Sequence, residues 1–260
     1  THPAYKFNID DEQFLTDSKP FSDLKITSKD STSLQLQALK VYQDLIKFHL
    51  KDKTPYALTE LNTERLDYVY YNATFENKDD LYLKALQTEA EKYKNHEVSG
   101  LYLFKIATLY NTQGFNYNKD TNADVRFKIK DALAICKQVI AKFPDSKGAG
   151  LCNALQAQIL EPSLSIQTEQ NIPINTYSRF LISYKNIQNL TFNAYVISKK
   201  QYDAYLKLYK EEDKKDFIKK LSTTKTWSST LKDENDYQQH TLETLVPKLD
   251  NGLYLIVGQT

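Results

Sequence analysis

Methionine is absent from the chain, which opens at Thr1. The expectation is a processed or subcloned piece of a larger polypeptide whose export signal has been removed. The last residues, Leu253 to Val257, still read as a strand with no polar tail, which carries the same expectation at the other end. Glycine is scarce, with six in all. That leaves no phosphate-cradling loop, and Gly148-x-Gly150 falls between expected helices rather than after a strand. The arginines number three, Arg65, Arg126 and Arg179, too few for a surface built on bidentate phosphate or base contacts. Lys plus Arg at 34 against Asp plus Glu at 33 gives a net charge of +1, so no long-range field gathers nucleic acid or an anionic membrane. No apolar run of about 18 residues exists, and no membrane span is expected. The four histidines, His2, His49, His96 and His240, show no metal-ligand spacing. No Gly-x-Ser-x-Gly elbow is present, and the acidic residues are scattered on polar faces. No catalytic residue, metal or cofactor is therefore expected.

Cysteine occurs twice, as Cys136 and Cys152. Two readings stand. Both can be small buried apolar side chains, or they can form a disulfide between successive helices that closes a loop of about 15 residues, worth ~3 kcal/mol in the chain-entropy model. Counted from the Pro144 turn, the two sulfurs sit at depths differing by roughly one helical turn, so a bond requires an asymmetric hairpin. An oxidising compartment favours it.

What is present divides into two grammars. The first thirty residues have no sustained period and read as an entry segment. Leu34, Ala38, Val41, Leu45 and Phe48 then recur at spacings of four, three, four and three, one face of a helix with cap candidates at Ser31 to Ser33. Pro55 opens a second helix with Leu58, Leu61, Tyr68 and Val69 on one face, and Asp79 and Asp80 open a third, which continues from Leu81 to Lys94. Ser99 to Pro162 organises the rest. Ala107, Tyr110 and Gly114, then Ala132 and Pro144, resemble the small, aromatic, small and proline positions of a tetratricopeptide repeat, with an extended connection around Asn116 to Val125. Residues 1–160 are thus expected to form a tetratricopeptide-like array of α-hairpins. Tyr68, Tyr70, Tyr71, Phe115 and Tyr117 are its candidate binding aromatics, or else interior and groove-lining rings.

Beyond Pro162 the period drops to two. Leu164, Ile166 and Thr168 alternate with polar partners, as do Phe180, Ile182 and Tyr184, and then Leu190, Phe192, Ala194 and Val196. A helical stripe interrupts at about 199–221, expected as one inserted helix with a solvated charge run. Strand pattern resumes through Trp227, Thr241 to Val246 and Leu253 to Val257. Gly252 followed by Tyr254 is the pattern of a tyrosine corner, in which the phenol bonds back to the turn. Residues 161–260 are therefore expected to be an immunoglobulin-like antiparallel β-sandwich with an inserted helix, and the whole chain an α+β protein of two domains.

The segments Leu164–Glu169, Tyr177–Asn186 and Leu190–Ile197, with the closing Pro247-x-Leu249-x-x-Gly252-x-Tyr254, resemble a macroglobulin domain near the start of bacterial α2-macroglobulin-like proteins. The resemblance covers about the last hundred residues, and helical segments precede such a domain in large members of that family. It implies a non-catalytic N-terminal scaffold fragment of an exported protease trap, in the periplasm or at the outer membrane or cell surface of a Gram-negative bacterium. Its partners would be the remaining domains of a larger chain, proteases met through the full-length protein, or another envelope component. The family's Cys-Gly-Glu-Gln thioester and bait are not among these residues. The rival expectation is a free-standing tetratricopeptide-like adaptor whose sandwich binds a peptide or glycan.

Overall fold

The computed structural model describes residues 5–169, 172 and 174–260. Among them the chain is α+β, with nine α-helices and two antiparallel sheets of three strands each. It separates into two compact units, Thr1–Ile159 and Leu160–Thr260.

The first unit holds α1 (Ser18–Asp23), α2 (Leu34–His49), α3 (Tyr56–Asn72), α4 (Lys78–Lys92), α5 (Ser99–Phe115), α6 (Lys128–Lys142) and most of α7 (Lys147–Leu160). Local chemistry sets their starts. Ser33 Oγ accepts the Leu36 N–H at 3.3 Å, Pro55 directly precedes α3, and Asp79 and Asp80 place negative charge in the first turn of α4. Glycines set how closely the helices approach. A Cβ on Gly148 of α7 would lie 2.6 Å from the Gly100 carbonyl carbon of α5, and one on Gly114 would lie 2.9 Å from the Ile129 backbone nitrogen at the start of α6. Ala107 and Ala132 are fully buried in the same packing.

Two expectations for this unit are corrected. In α2 the buried residues are Leu36, Leu39, Gln43 and Ile46, whereas Leu34, Val41, Leu45 and Phe48 are exposed. Gln43 sits inside because its amide nitrogen donates to the carbonyls of Phe21 at 2.8 Å and Leu24 at 2.9 Å, which removes the cost of burying it. The entry segment, moreover, is core. Ile9, Phe14, Leu15 and Phe21 are each at most 5% exposed. Ile9 pairs with Ala73 in a parallel bridge, and its carbonyl accepts the Thr74 N–H at 2.9 Å.

The second unit holds β1 (Ser163–Thr168), β2 (Ser178–Lys185), β3 (Asn189–Ile197), α8 (Lys199–Tyr205), α9 (Glu211–Lys219), β4 (Thr223–Thr230), β5 (His240–Val246) and β6 (Leu253–Gln259). The sheets run β1-β2-β5 and β4-β3-β6. Side chains from both meet in one cluster, where Phe180 and Ile182 of β2 join Leu190 and Phe192 of β3. The rings of Phe180 and Phe192 lie 5.4 Å apart, and Trp227 stacks on Phe192 at 5.2 Å. In β3 the expected inward position Val196 is exposed, while Tyr195 and Ile197 are buried. The change falls at a register shift between Ala194 and Tyr195, where Thr224 is the extra residue of β4. The single inserted helix expected at about 199–221 is two short helices. Ser198 caps the first through a reciprocal box with Gln201, and Lys207 and Leu208 turn back before the second.

Candidate functional site

The most constrained polar cluster lies in the first unit, around Arg65 of α3. Its guanidinium is fully buried, donating to the carbonyl oxygens of Phe14 at 2.8 Å and Thr16 at 2.9 Å and to Asn62 Oδ1 at 2.5 Å. It lies 4.4 Å over the Phe21 ring. Burial pushes its pKa down to about 10, with the nearby Glu89 carboxylate opposing the fall. Glu89 of α4 is 1% exposed, and its Oε1 accepts the Ser18 N–H at 2.8 Å and the Asn62 amide at 3.1 Å. Asn62 also donates to the Tyr102 hydroxyl of α5 at 3.1 Å. Burial first, and Glu89 second, raise the Tyr102 phenol. Three of the groups so held, the Phe14 and Thr16 carbonyls and the Ser18 amide, belong to the backbone of the N-terminal segment. Arg65 and Glu89, with Gln43, hold the backbone of residues 14–24, which includes α1, against α2, α3 and α4. None of these residues was a sequence candidate. A lone Arg and a lone Glu within helical polar stretches look like surface residues until the acceptors from fifty residues away are in place.

The sequence-expected aromatics fall into two groups with no ring contact between them among the described residues. Tyr68 is half-buried against Tyr42 at 5.7 Å. Tyr70 stacks on Tyr82 at 4.4 Å and donates to Asp79 Oδ1 at 3.0 Å. Burial and that bond push its phenol up to about 12. Tyr71 is exposed, edge-on to Tyr70. Phe115, at the end of α5, is exposed, and Tyr117 is half-buried beneath the Arg126 guanidinium at 5.9 Å.

Cys136 and Cys152 are free and fully buried. The neighbouring Cys136 thiol, then burial, raises the Cys152 thiol far above its usual range. Tyr254 donates its hydroxyl to the Asp250 carbonyl at 3.2 Å across the turn, with the ring 3.3 Å from where a Cβ on Gly252 would stand.

The second unit carries an open cleft of about 550 Å³ between the β2–β3 turn and the loop before β5. Asn235 and Tyr237 adopt left-handed φ of 53° and 59°, a strained conformation for Tyr. Between them Asp236 is 1% exposed; its Oδ1 accepts the Gln238 N–H at 3.1 Å and lies 2.8 Å from His240 Nε2. Asp233 accepts from Gln188 Nε2 at 3.0 Å and from the Asn235 N–H at 2.8 Å. The cleft thus presents the Gln188 amide and the Asp233 and Asp236 carboxylates beside the His240 imidazole. A smaller hollow of about 360 Å³ lies between α4, α5 and α6, floored by Ala90, Ile106 and Val139. Lys142 Nζ donates to the Lys94 carbonyl at 2.5 Å at its rim.

Among the described residues no group of three or more His, Cys, Asp or Glu comes together as a metal site, and no helix is long and apolar enough to cross a membrane. Comparison of the chain with protein-family models, with curated proteins and with solved structures found no match.

Proposed function

We propose that this chain is a non-catalytic scaffold segment of a bacterial α2-macroglobulin-like protease trap, a tetratricopeptide-like helical array followed by a macroglobulin-type β-sandwich. In this reading it acts in the periplasm or at the outer membrane or cell surface of a Gram-negative bacterium, joined to later domains that carry bait and capture chemistry.

The observation that favours a scaffold over the rival adaptor is the packing of the N-terminal segment into the helical core. Ile9, Phe14, Leu15 and Phe21 are part of the hydrophobic core of the helical unit, and at about 1.5–3 kcal/mol per large side chain they contribute roughly 6–12 kcal/mol. A ligand binding at 1 μM supplies about 8 kcal/mol, so displacing the segment would consume most or all of it. The cleft around Asp236 keeps a second reading open for the other unit, recognition of a polar peptide or glycan.

Antibody raised against this chain tests the proposal in fractionated cells of the source bacterium. The expected result is an envelope-fraction polypeptide many times larger than 30.2 kDa, which on incubation with trypsin is cut at one internal segment and retains the protease through gel filtration. A species near 30.2 kDa in the cytoplasmic fraction, or a large species that releases active protease, refutes it.

A further inference from the structure

Cys136 and Cys152 are reactive side chains that the fold brings together and then encloses. Cys136 lies between Leu133 and Val139 on the buried stripe of α6, and Cys152 between Ala149 and Leu155 on that of α7. Both are 0% exposed. Cys136 stands six residues before the end of α6 and Cys152 five residues after the start of α7, depths of about 9 Å and about 7.5 Å along the two helices. The one-turn mismatch expected from the sequence is therefore absent, and the two thiols are direct neighbours.

We propose that these two thiols are a cross-link site whose redox state is set while the chain folds and is then locked in. Before α7 docks, both sulfurs are open to a disulfide oxidant such as glutathione disulfide. One Cys thiolate attacks a sulfur of that disulfide and expels a glutathione thiolate; the other Cys thiolate attacks the protein sulfur of the mixed disulfide and expels the second glutathione. Both cysteines are oxidised, their two protons pass to the expelled thiolates, and glutathione disulfide is reduced to two glutathiones. Once α6 and α7 are packed, neither oxidant nor reductant reaches the sulfurs without local opening. A chain that folds in an oxidising compartment is therefore stapled there, and one that folds in a reducing compartment keeps its thiols. The staple closes a loop of about 15 residues and ties α7, the last helix before β1, to α6.

The full 260-residue chain, reduced and unfolded in urea, is diluted into a glutathione redox buffer, while folded reduced chain is placed in the same buffer for the same time. Maleimide labelling in denaturant, followed by intact mass, counts the remaining thiols. The refolding sample is expected to carry no label and to weigh about 2 Da less than the reduced chain. The folded sample keeps both labelled thiols and bridges on the order of 100-fold more slowly. The bridged chain melts about 6–12 °C above chain refolded with reductant. A refolded chain whose thiols stay free, or carry only glutathione, overturns the pairing. A bridged chain that melts no higher overturns the staple, and folded chain that bridges as fast as refolding chain overturns the locking.

Discussion

Substituting Arg65 by Met keeps most of the side-chain volume and removes the guanidinium, which isolates the grip on the N-terminal segment. Two backbone carbonyls, Phe14 and Thr16, and the Asn62 oxygen lose their donor. Each buried acceptor left unpaired costs about 1–3 kcal/mol. Glu89, 1% exposed, keeps Asn62, Ser18 and the Lys92 contact at 3.4 Å but loses the favourable field of the guanidinium. Part of the sum is recovered because a buried guanidinium is itself costly, as its lowered pKa of about 10 records. The net loss should be about 3–5 kcal/mol, the usual cost of removing one member of a buried charged network. For a unit of this size that corresponds to roughly 8–15 °C in melting temperature. Urea denaturation followed by circular dichroism measures it, and amide hydrogen exchange localises it. Exchange at Ser18, whose N–H is held by Glu89, should rise more than in β2 or β3. Arg65→Lys should recover less than half, because one ammonium cannot reach three acceptors set around a planar fork. A loss below 1 kcal/mol for Arg65→Met, or exchange that rises equally in both units, would refute the view that this residue holds the segment in place.

Three further outcomes are expected. Gly148→Ala should destabilise by about 2–4 kcal/mol, since the new methyl meets Gly100 backbone, whereas Gly150→Ala, with open space around it, should stabilise by up to about 1 kcal/mol; equal effects in thermal melts would contradict the close α5–α7 approach. Burial first raises the phenols of Tyr82 and Tyr102, and a group that stays protonated in the fold while the unfolded chain ionises makes stability fall as pH rises above about 10. Tyrosinate absorbance at those two sites should therefore appear together with unfolding, and a graded titration that precedes any loss of ellipticity would argue otherwise. Cys136 and Cys152 should stay unreactive to a thiol reagent in the native chain and both react in denaturant; fast native labelling of either would place it at the surface.

The amino-acid sequence by itself was enough for the change of grammar near residue 160 and for most elements. Helical and strand periods are local properties, read within one or two turns or a few residues, and glycine and proline mark where they end. The inward faces of β2 and the first part of β3 followed from simple alternation, because nothing there interrupts it. Past Ala194 the same rule misplaced Val196, since a bulge depends on how the partner strand is paired. In α2 two stripes competed, and the more hydrophobic one lies outside. Only tertiary structure could decide this, by bringing the Phe21 and Leu24 carbonyls to the Gln43 amide and so making a polar residue acceptable inside. The Arg65–Asn62–Glu89 network was invisible for the same reason. Burial of a polar side chain is determined by whether distant backbone groups arrive to satisfy it, and residues 14–18 arrive there through the fold rather than through any local pattern.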